Sequence, residues 1–182
     1  MKLVPYWLDT AELFADAIEG PVEGRADVVV IGAGLNGLAA ALTLSKKGVD
    51  VVLLDKARVG SSASGRNGGM CTTGLAIGYL TAVERYGAET AMRYYEAYCD
   101  AIDTVEQLVS DEGIACHFSR TGRLTLADKP AHFEGLAKTH AALASNGYDT
   151  TLVPPDKLRD EIGSDRYHGG VVDPRGAGLH VG

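Results

Sequence analysis

Hydrophobic positions change their period several times along this chain. Val28, Val29, Val30 and Ile31 form a continuous β-branched run. Such a run predicts a strand buried on both faces of a parallel sheet. Leu38, Ala39, Ala40, Ala41, Leu42 and Leu44 then predict an apolar helix of small residues, fit to be buried, and Gly48 sits where a left-handed cap would end it. Val49, Val51, Val52, Leu53 and Leu54 rebuild a buried strand that Asp55 closes. The unit from Ala26 to Asp55 therefore reads strand, turn, helix, strand.

Further on, Val83, Met92, Tyr95, Cys99, Ile102, Val105 and Val109 recur at helical spacing. They predict one long helix from about Thr81 to Val109, stopped by Gly113. The stretch IACHFSRTGRLTLAD predicts two short strands around Gly122. A second helix is expected from near Pro130 to Asn146, with Phe133, Leu136, His140 and Leu143 on one face and Gly147 after it. PPDKLRDEIG predicts a short helix, and HGGVVDPRGAGLHV a strand broken by an Asp-Pro turn. Alternating strand and helix patterns give an α/β chain, with no internal repeat and no low-complexity segment.

The first turn carries chemistry. Gly32, Gly34 and Gly37 follow the first strand in G-x-G-x-x-G spacing. The first glycine permits the tight turn, the second lets backbone approach a pyrophosphate, and the third lets the helix pack closely on the sheet. The helix opening there points free N–H groups and its positive dipole end at phosphates. Such a glycine pattern is weak alone. Here it has a strand before it, a helix through it, a second strand, and an acid 21 positions after Gly34, near the spacing expected of a ribose ligand. The pattern points to an ADP-containing dinucleotide and leaves NAD and FAD open. The Asp55 carboxylate disfavours a 2′-phosphate and so argues against NADP.

Residues 58–70, RVGSSASGRNGGM, favour FAD. A NAD-binding half would run into a further helix, whereas this run of small residues has no period. Small residues allow main-chain N–H groups near a flat ligand, Ser61, Ser62 and Ser64 add hydroxyls, and Arg66 offers a fork of donors to a phosphate. Taken alone the run would read as a flexible surface loop.

Together, ADVVVIGAGLNGLAAALTLSKKGVDVVLLD and VGSSASGRNGGM resemble the flavoproteins related to D-amino-acid oxidase, which include glycine oxidase, sarcosine oxidase and the γ-glutamylputrescine oxidoreductase branch. The Ser-Gly-Arg-Asn-Gly-Gly run is most similar to that last branch, and PYWLDTA agrees with it. The resemblance implies a Rossmann-like FAD-binding βαβ unit of the glutathione-reductase type, followed by the start of an α+β substrate domain. The expected division is an N-terminal extension over 1–25, the FAD unit and flavin loop over 26–78, and an incomplete substrate region over 79–182. Family members are considerably longer, so the chain is expected to represent an N-terminal portion. By resemblance, Gly32, Ala33, Gly34, Leu35, Asn36 and Gly37 hold the pyrophosphate, and Asp55 and Lys56 lie at the adenosine ribose. Ser62, Ala63, Ser64, Arg66, Asn67, Gly68, Gly69 and Met70 run past the pyrophosphate toward the isoalloxazine ring. The implied activity is oxidation of an amine or amino acid at its C–N bond, with hydride passing to flavin. A non-catalytic FAD-binding fragment needing a second chain, or a plain NAD-binding module, are the alternatives.

Composition narrows the classes. The 182 residues are 46% hydrophobic and 23% charged, with a formal net charge of −7. An acidic chain without basic clusters is not expected to bind nucleic acid or anionic membrane. No apolar run reaches the ~20 residues of a membrane span, and MKLVPYWLDT has no signal-peptide core. Cys71, Cys99 and Cys116 lack a C-x-x-C pair, which suits reduced thiols in the cytoplasm. The five histidines show no metal-ligand spacing, so no metal site is expected. Tyr94, Tyr95 and Tyr98 could face a substrate but read more simply as fillers of an amphipathic helix, Cys71 could lie near the flavin ring but reads as a small buried thiol, and Arg120 and Arg123 could bind a substrate carboxylate but read as a solvated hairpin. The expected partner is a small amine or amino acid.

Overall fold

The structure is a computed structural model and describes residues 3–12 and 14–182. The chain divides into two compact units. One contains the residues up to Gly69 together with His180–Gly182, and the other contains Met70–Leu179.

In the first unit a short helix α1 (Tyr6–Thr10) precedes β1 (Val28–Ile31), α2 (Leu35–Lys46) and β2 (Val51–Leu54). The two strands pair in parallel, Val28 against Val51 through Ile31 against Leu54. The ladder continues into the turn, where the Gly32 N–H donates to Leu54 O at 2.7 Å. Gly32 has φ +103°, a backbone that L side chains rarely adopt. A Cβ on Gly37 would lie 1.8 Å from Gly32 O, so α2 rests against the end of β1 at a distance only glycine allows. Gly48, at φ +78°, ends α2, with its N–H on Ser45 O and the Val49 N–H on Leu44 O. The left-handed cap is thus found as expected.

The expected burial is not found. Val29 and Ile31 are 53% and 86% exposed, and α2 has no buried residue, with Leu35 and Leu38 open to solvent. A parallel strand is covered on both faces only when other layers flank it. Here β2 is the one strand beside β1 among the described residues.

The second unit holds β3 (Met70–Cys71), α3 (Tyr79–Tyr86), α4 (Ala88–Asp111), β4 (Arg123–Leu126), α5 (Pro130–Ala144), β5 (Thr151–Val153), α6 (Leu158–Ile162), β6 (Gly170–Asp173) and β7 (Ala177–Gly178). Strand β6 is central in an antiparallel sheet of order β4-β6-β5, and β3 pairs with β7. The single helix expected over 81–109 is two helices, because Gly87 adopts φ +82°, ψ +157° between them. The hairpin expected around Gly122 does not form. Strand β4 pairs with β6, and the segment before Gly122 makes only an isolated bridge, Ser119 with Gly178. Strand β5 carries no signal in the sequence, because its three residues are too few to show a period. The expected helix from Pro130, the short helix near 158 and the break after Asp173 are all present.

Helix α4 buries Ala91, Tyr95, Cys99 and Ile102, and Tyr95 and Cys99 pack with Leu143 of α5. The Tyr95 ring meets Tyr148 edge-on at 4.7 Å between centroids, a favoured aromatic geometry. Its hydroxyl donates to Asp173 Oδ2 at 2.8 Å. Arg120 is no solvated hairpin residue. Its guanidinium reaches Glu106 at 2.6 Å and Asp103 at 2.5 Å on α4, and donates to Arg175 O. Tyr94 and Tyr98 are exposed on the outer face of α4.

Two outcomes follow from this packing. Burial first, then the bond to Asp173, pushes the Tyr95 hydroxyl well above its ordinary value of 10.0. The folded state then keeps a proton that the unfolded chain releases, so stability falls as pH rises past that value. Urea midpoints measured from neutral to strongly alkaline pH should drop, and Tyr95→Phe should flatten the drop while costing about 1 kcal/mol at neutral pH. Gly37→Ala should destabilise the first unit by at least 2 to 3 kcal/mol, roughly the scale of overpacking against rigid neighbours. Gly48→Ala should cost only about 1 kcal/mol, because open space surrounds that position. Hydrogen exchange of the β1 amides would separate the two.

Candidate functional site

The glycine turn, the end of β2 and the loop after it form one connected assembly within the first unit. Ala33 is its centre and is 2% exposed. Its N–H donates to Asp55 Oδ2 at 2.7 Å, and its carbonyl accepts the Gly60 N–H at 2.9 Å. Asp55 Oδ1 accepts the Ala57 N–H at 2.8 Å. These two backbone donors, Ala33 first, hold the Asp55 carboxyl below its usual range, with a further contribution from Lys56. Each carboxylate oxygen has a second lone pair, so the acid retains acceptor capacity on its exposed side. Asp55 therefore fastens the turn to β2 and presents a charged edge to solvent.

Helix α2 starts at Leu35, with Gly34 as its N-cap in extended backbone and no side-chain cap of its own. The first helical bond runs from Leu38 N–H to Gly34 O. The N–H groups of Leu35, Asn36 and Gly37 have no intrahelical acceptor by position. The Leu35 N–H donates to Ser64 Oγ at 3.1 Å, and a Cβ on Gly34 would lie 2.8 Å from that same oxygen. A hydroxyl oxygen thus sits at the positive end of α2, where a phosphate oxygen finds the same donors.

The loop that carries Ser64 is ordered by its own side chains. Ala63–Gly65 form a single 3-10 turn, with Ser62 O accepting the Gly65 N–H. Asn67 donates from Nδ2 to Ser64 O at 2.7 Å and accepts the Gly69 N–H on Oδ1 at 2.8 Å. Gly69 is buried, while Ser62, Arg66, Asn67 and Gly68 are exposed. Trp7 Nε1–H of α1 donates to Asn67 O at 2.6 Å, so the N-terminal helix clamps the loop. Thr10 and the Trp7 ring in turn meet His180, at 2.8 Å and at 4.8 Å between centroids.

Of the residues read as cofactor ligands, Gly32, Ala33, Gly34, Leu35, Asn36, Gly37, Asp55, Lys56, Ser62, Ala63, Ser64, Arg66, Asn67, Gly68 and Gly69 fall in this unit. Met70 opens β3 in the other unit and is 73% exposed. Trp7 and Gly60 have structural roles that the sequence reading missed. The one tryptophan of the chain, two positions after Pro5, was the available signal for the first; nothing local marks the second. Burial pushes the Cys71 thiol up, which suits an inert packing residue. Among the described residues no cluster of His, Cys, Asp and Glu could hold a metal ion, and no helix is long and apolar enough to cross a membrane.

Residues 27–182 match the family model described as FAD dependent oxidoreductase, DAO. The chain is 36% identical over 158 residues to the probable oxidoreductase OrdL of Haemophilus influenzae, covering 86% of this chain and 36% of that protein. It is 30% identical over 155 residues to the gamma-glutamylputrescine oxidoreductase of Escherichia coli, covering 85% of this chain and again 36% of the relative. Among solved structures, glycine oxidase from Bacillus cereus superposes with a TM-score of 0.66 at 20% identity, over 86% of this chain and 40% of that one. The chain therefore spans little more than a third of the length of these curated relatives. On the extent of the family match, this chain belongs to the DAO family of FAD-dependent oxidoreductases.

Proposed function

We propose that this chain is the FAD-holding portion of an oxidoreductase that oxidises an amine or amino acid at the carbon next to nitrogen. The observation that carries the reading is the donor set at the start of α2, joined to an acid at the end of β2 through Ala33. Gly34 lacks the Cβ that would fill the cradle, and the helix end supplies N–H groups and a positive field for a pyrophosphate. Asp55, held ionised by two backbone donors, suits two ribose hydroxyls and repels a 2′-phosphate. FAD, when bound, supplies the hydride acceptor for the substrate's C–H bond. The chain's own part is to fix that cofactor and to line one side of it with the loop from Ser62 to Met70.

A second reading has a specific observation behind it. Ile31 at 86% exposure leaves an apolar strand face uncovered, and the relatives are far longer than the matched segment. On this reading, turnover belongs to the longer protein or to an assembly, and the chain alone binds cofactor without catalysis.

The visible spectrum after addition of FAD and desalting tests both. A retained flavin band near ~450 nm is expected, the signature of the bound redox cofactor. NAD should fail to displace it, and Asp55→Ala should weaken FAD binding by about tenfold or more, roughly 1.4 kcal/mol. Bleaching by amines in this chain would favour the catalytic reading, and bleaching only in a longer chain the second. Loss of all flavin, or displacement by NAD, would contradict the FAD assignment.

A further inference from the structure

We propose that α1 is a strap over the loop from Ala63 to Gly69, that Trp7 is its positioning residue, and that the docked strap slows escape of a dinucleotide from the start of α2. This role rests on the phosphate seat proposed for that helix end. It extends the site to residues ahead of 27–182, the segment that matches the family model.

Helix α1 has little reason to form alone. It has five residues and buries none of them, and isolated helices shorter than about 12 residues are marginal in water. Contacts with distant segments of the same unit hold it. The Trp7 indole N–H donates to Asn67 O at 2.6 Å, 60 positions away. Leu8 lies over Gly65, where a Cβ would come within 2.9 Å of Leu8 Cδ2. Thr10 Oγ1 gives its only proton to Tyr6 O at 2.8 Å, so it accepts from His180 Nε2 at 2.8 Å. His180 Nδ1 then accepts the Gly182 N–H at 3.2 Å. A segment held by a few exposed bonds and no core lies at the low end of local stability and opens readily.

The indole bond is placed where it bears on the cofactor seat. The Asn67 side chain orders the loop, with Nδ2 donating to Ser64 O and Oδ1 accepting the Gly69 N–H. Trp7 takes the main-chain oxygen of that same residue. It thus fixes the residue that holds Ser64, whose Oγ accepts the Leu35 N–H at 3.1 Å. A hydroxyl both accepts and donates. With the helix end empty, Ser64 accepts from Leu35. With a phosphate there, it turns its proton to the phosphate and leaves the Leu35 N–H to the ligand. A loop already held in place loses less freedom on binding, so docking of α1 tightens the complex. Coupling of this kind is reciprocal, so a ligand at α2 also holds α1 down.

Trp7 is the one tryptophan of the chain, so its emission reports on α1. Acrylamide quenching of that emission in the whole chain, with and without ADP, tests the coupling; ADP carries the pyrophosphate and no flavin to absorb the light. Saturating ADP should lower the quenching constant by about twofold or more, as reciprocal coupling requires. Ser64→Ala should abolish the change at ADP concentrations that still saturate the chain. Trp7→Phe keeps an aromatic ring beside Tyr6 and His180 and loses the N–H. It should speed FAD release on dilution, read as recovery of flavin fluorescence, by about threefold, the scale of one exposed hydrogen bond. Thr10→Val frees the His180 contact and should act in the same direction. Binding of ADP and FAD with unchanged Trp7 quenching, or with release indifferent to both variants, would overturn the strap and leave the cofactor reading standing. Failure of the unaltered chain to bind either nucleotide would overturn both.

Discussion

The first unit depends on one close approach, that of Gly37 to the carbonyl of Gly32. No side chain fits in that gap, and the gap sets where α2 begins relative to β1. Once α2 is seated there, its N-terminal N–H groups open beyond the end of the strand, and Gly34 gives them a face without a Cβ. Asp55 then secures the arrangement from the other side by accepting the Ala33 N–H. The Ala33 carbonyl holds Gly60, and through it the loop that delivers Ser64 to the helix end. Each contact is an ordinary hydrogen bond. Together they fix a donor array, which is what recognition of a charged, flexible ligand requires.

The same unit carries an unmet demand. Its strands are too apolar for a sheet with open faces. Ile31, at 86% exposure, would contribute about 2 kcal/mol if covered, and Val29, Leu35 and Leu38 add to the exposed surface. The residues of β1 suit a layer on each side, and two strands and one helix give them less. The first unit thus has a well-made turn on a sparsely covered sheet. The second unit balances differently, with a buried Tyr95, Cys99 and Leu143 cluster and a hydroxyl bond from Tyr95 to Asp173.

Local signals in the sequence were legible wherever short-range physics decides the outcome. The bounds of β1, the end of β2 before Asp55, the turn at Gly32, the left-handed cap at Gly48 and the helix from Pro130 were all foreseeable from runs, glycines and caps. Long-range choices were not. The hairpin around Gly122 looked locally sound, but Arg123–Leu126 found a better partner in Gly170–Asp173. The helix over 81–109 kept its apolar period through Gly87, so the period hid the break. At the candidate site, the glycines and Asp55 were readable from spacing. The bonds from Trp7 to Asn67 and from Gly60 to Ala33 join residues whose pairing no spacing announces. Tyr95 was legible as a core residue, while its bond to Asp173 across 78 positions was not.

The central claim is that the start of α2 is the seat of a dinucleotide's phosphates and that Ser64 Oγ stands at that seat. Amide chemical shifts during titration with ADP, which carries the pyrophosphate without the flavin, test it most directly. The account predicts that the largest shifts fall on Gly34, Leu35 and Asn36, with smaller ones at residues 55–57, and that the Leu35 amide leaves Ser64 for the ligand. Saturating shifts confined to other parts of the chain, or a Leu35 amide that does not respond to ADP, would contradict it.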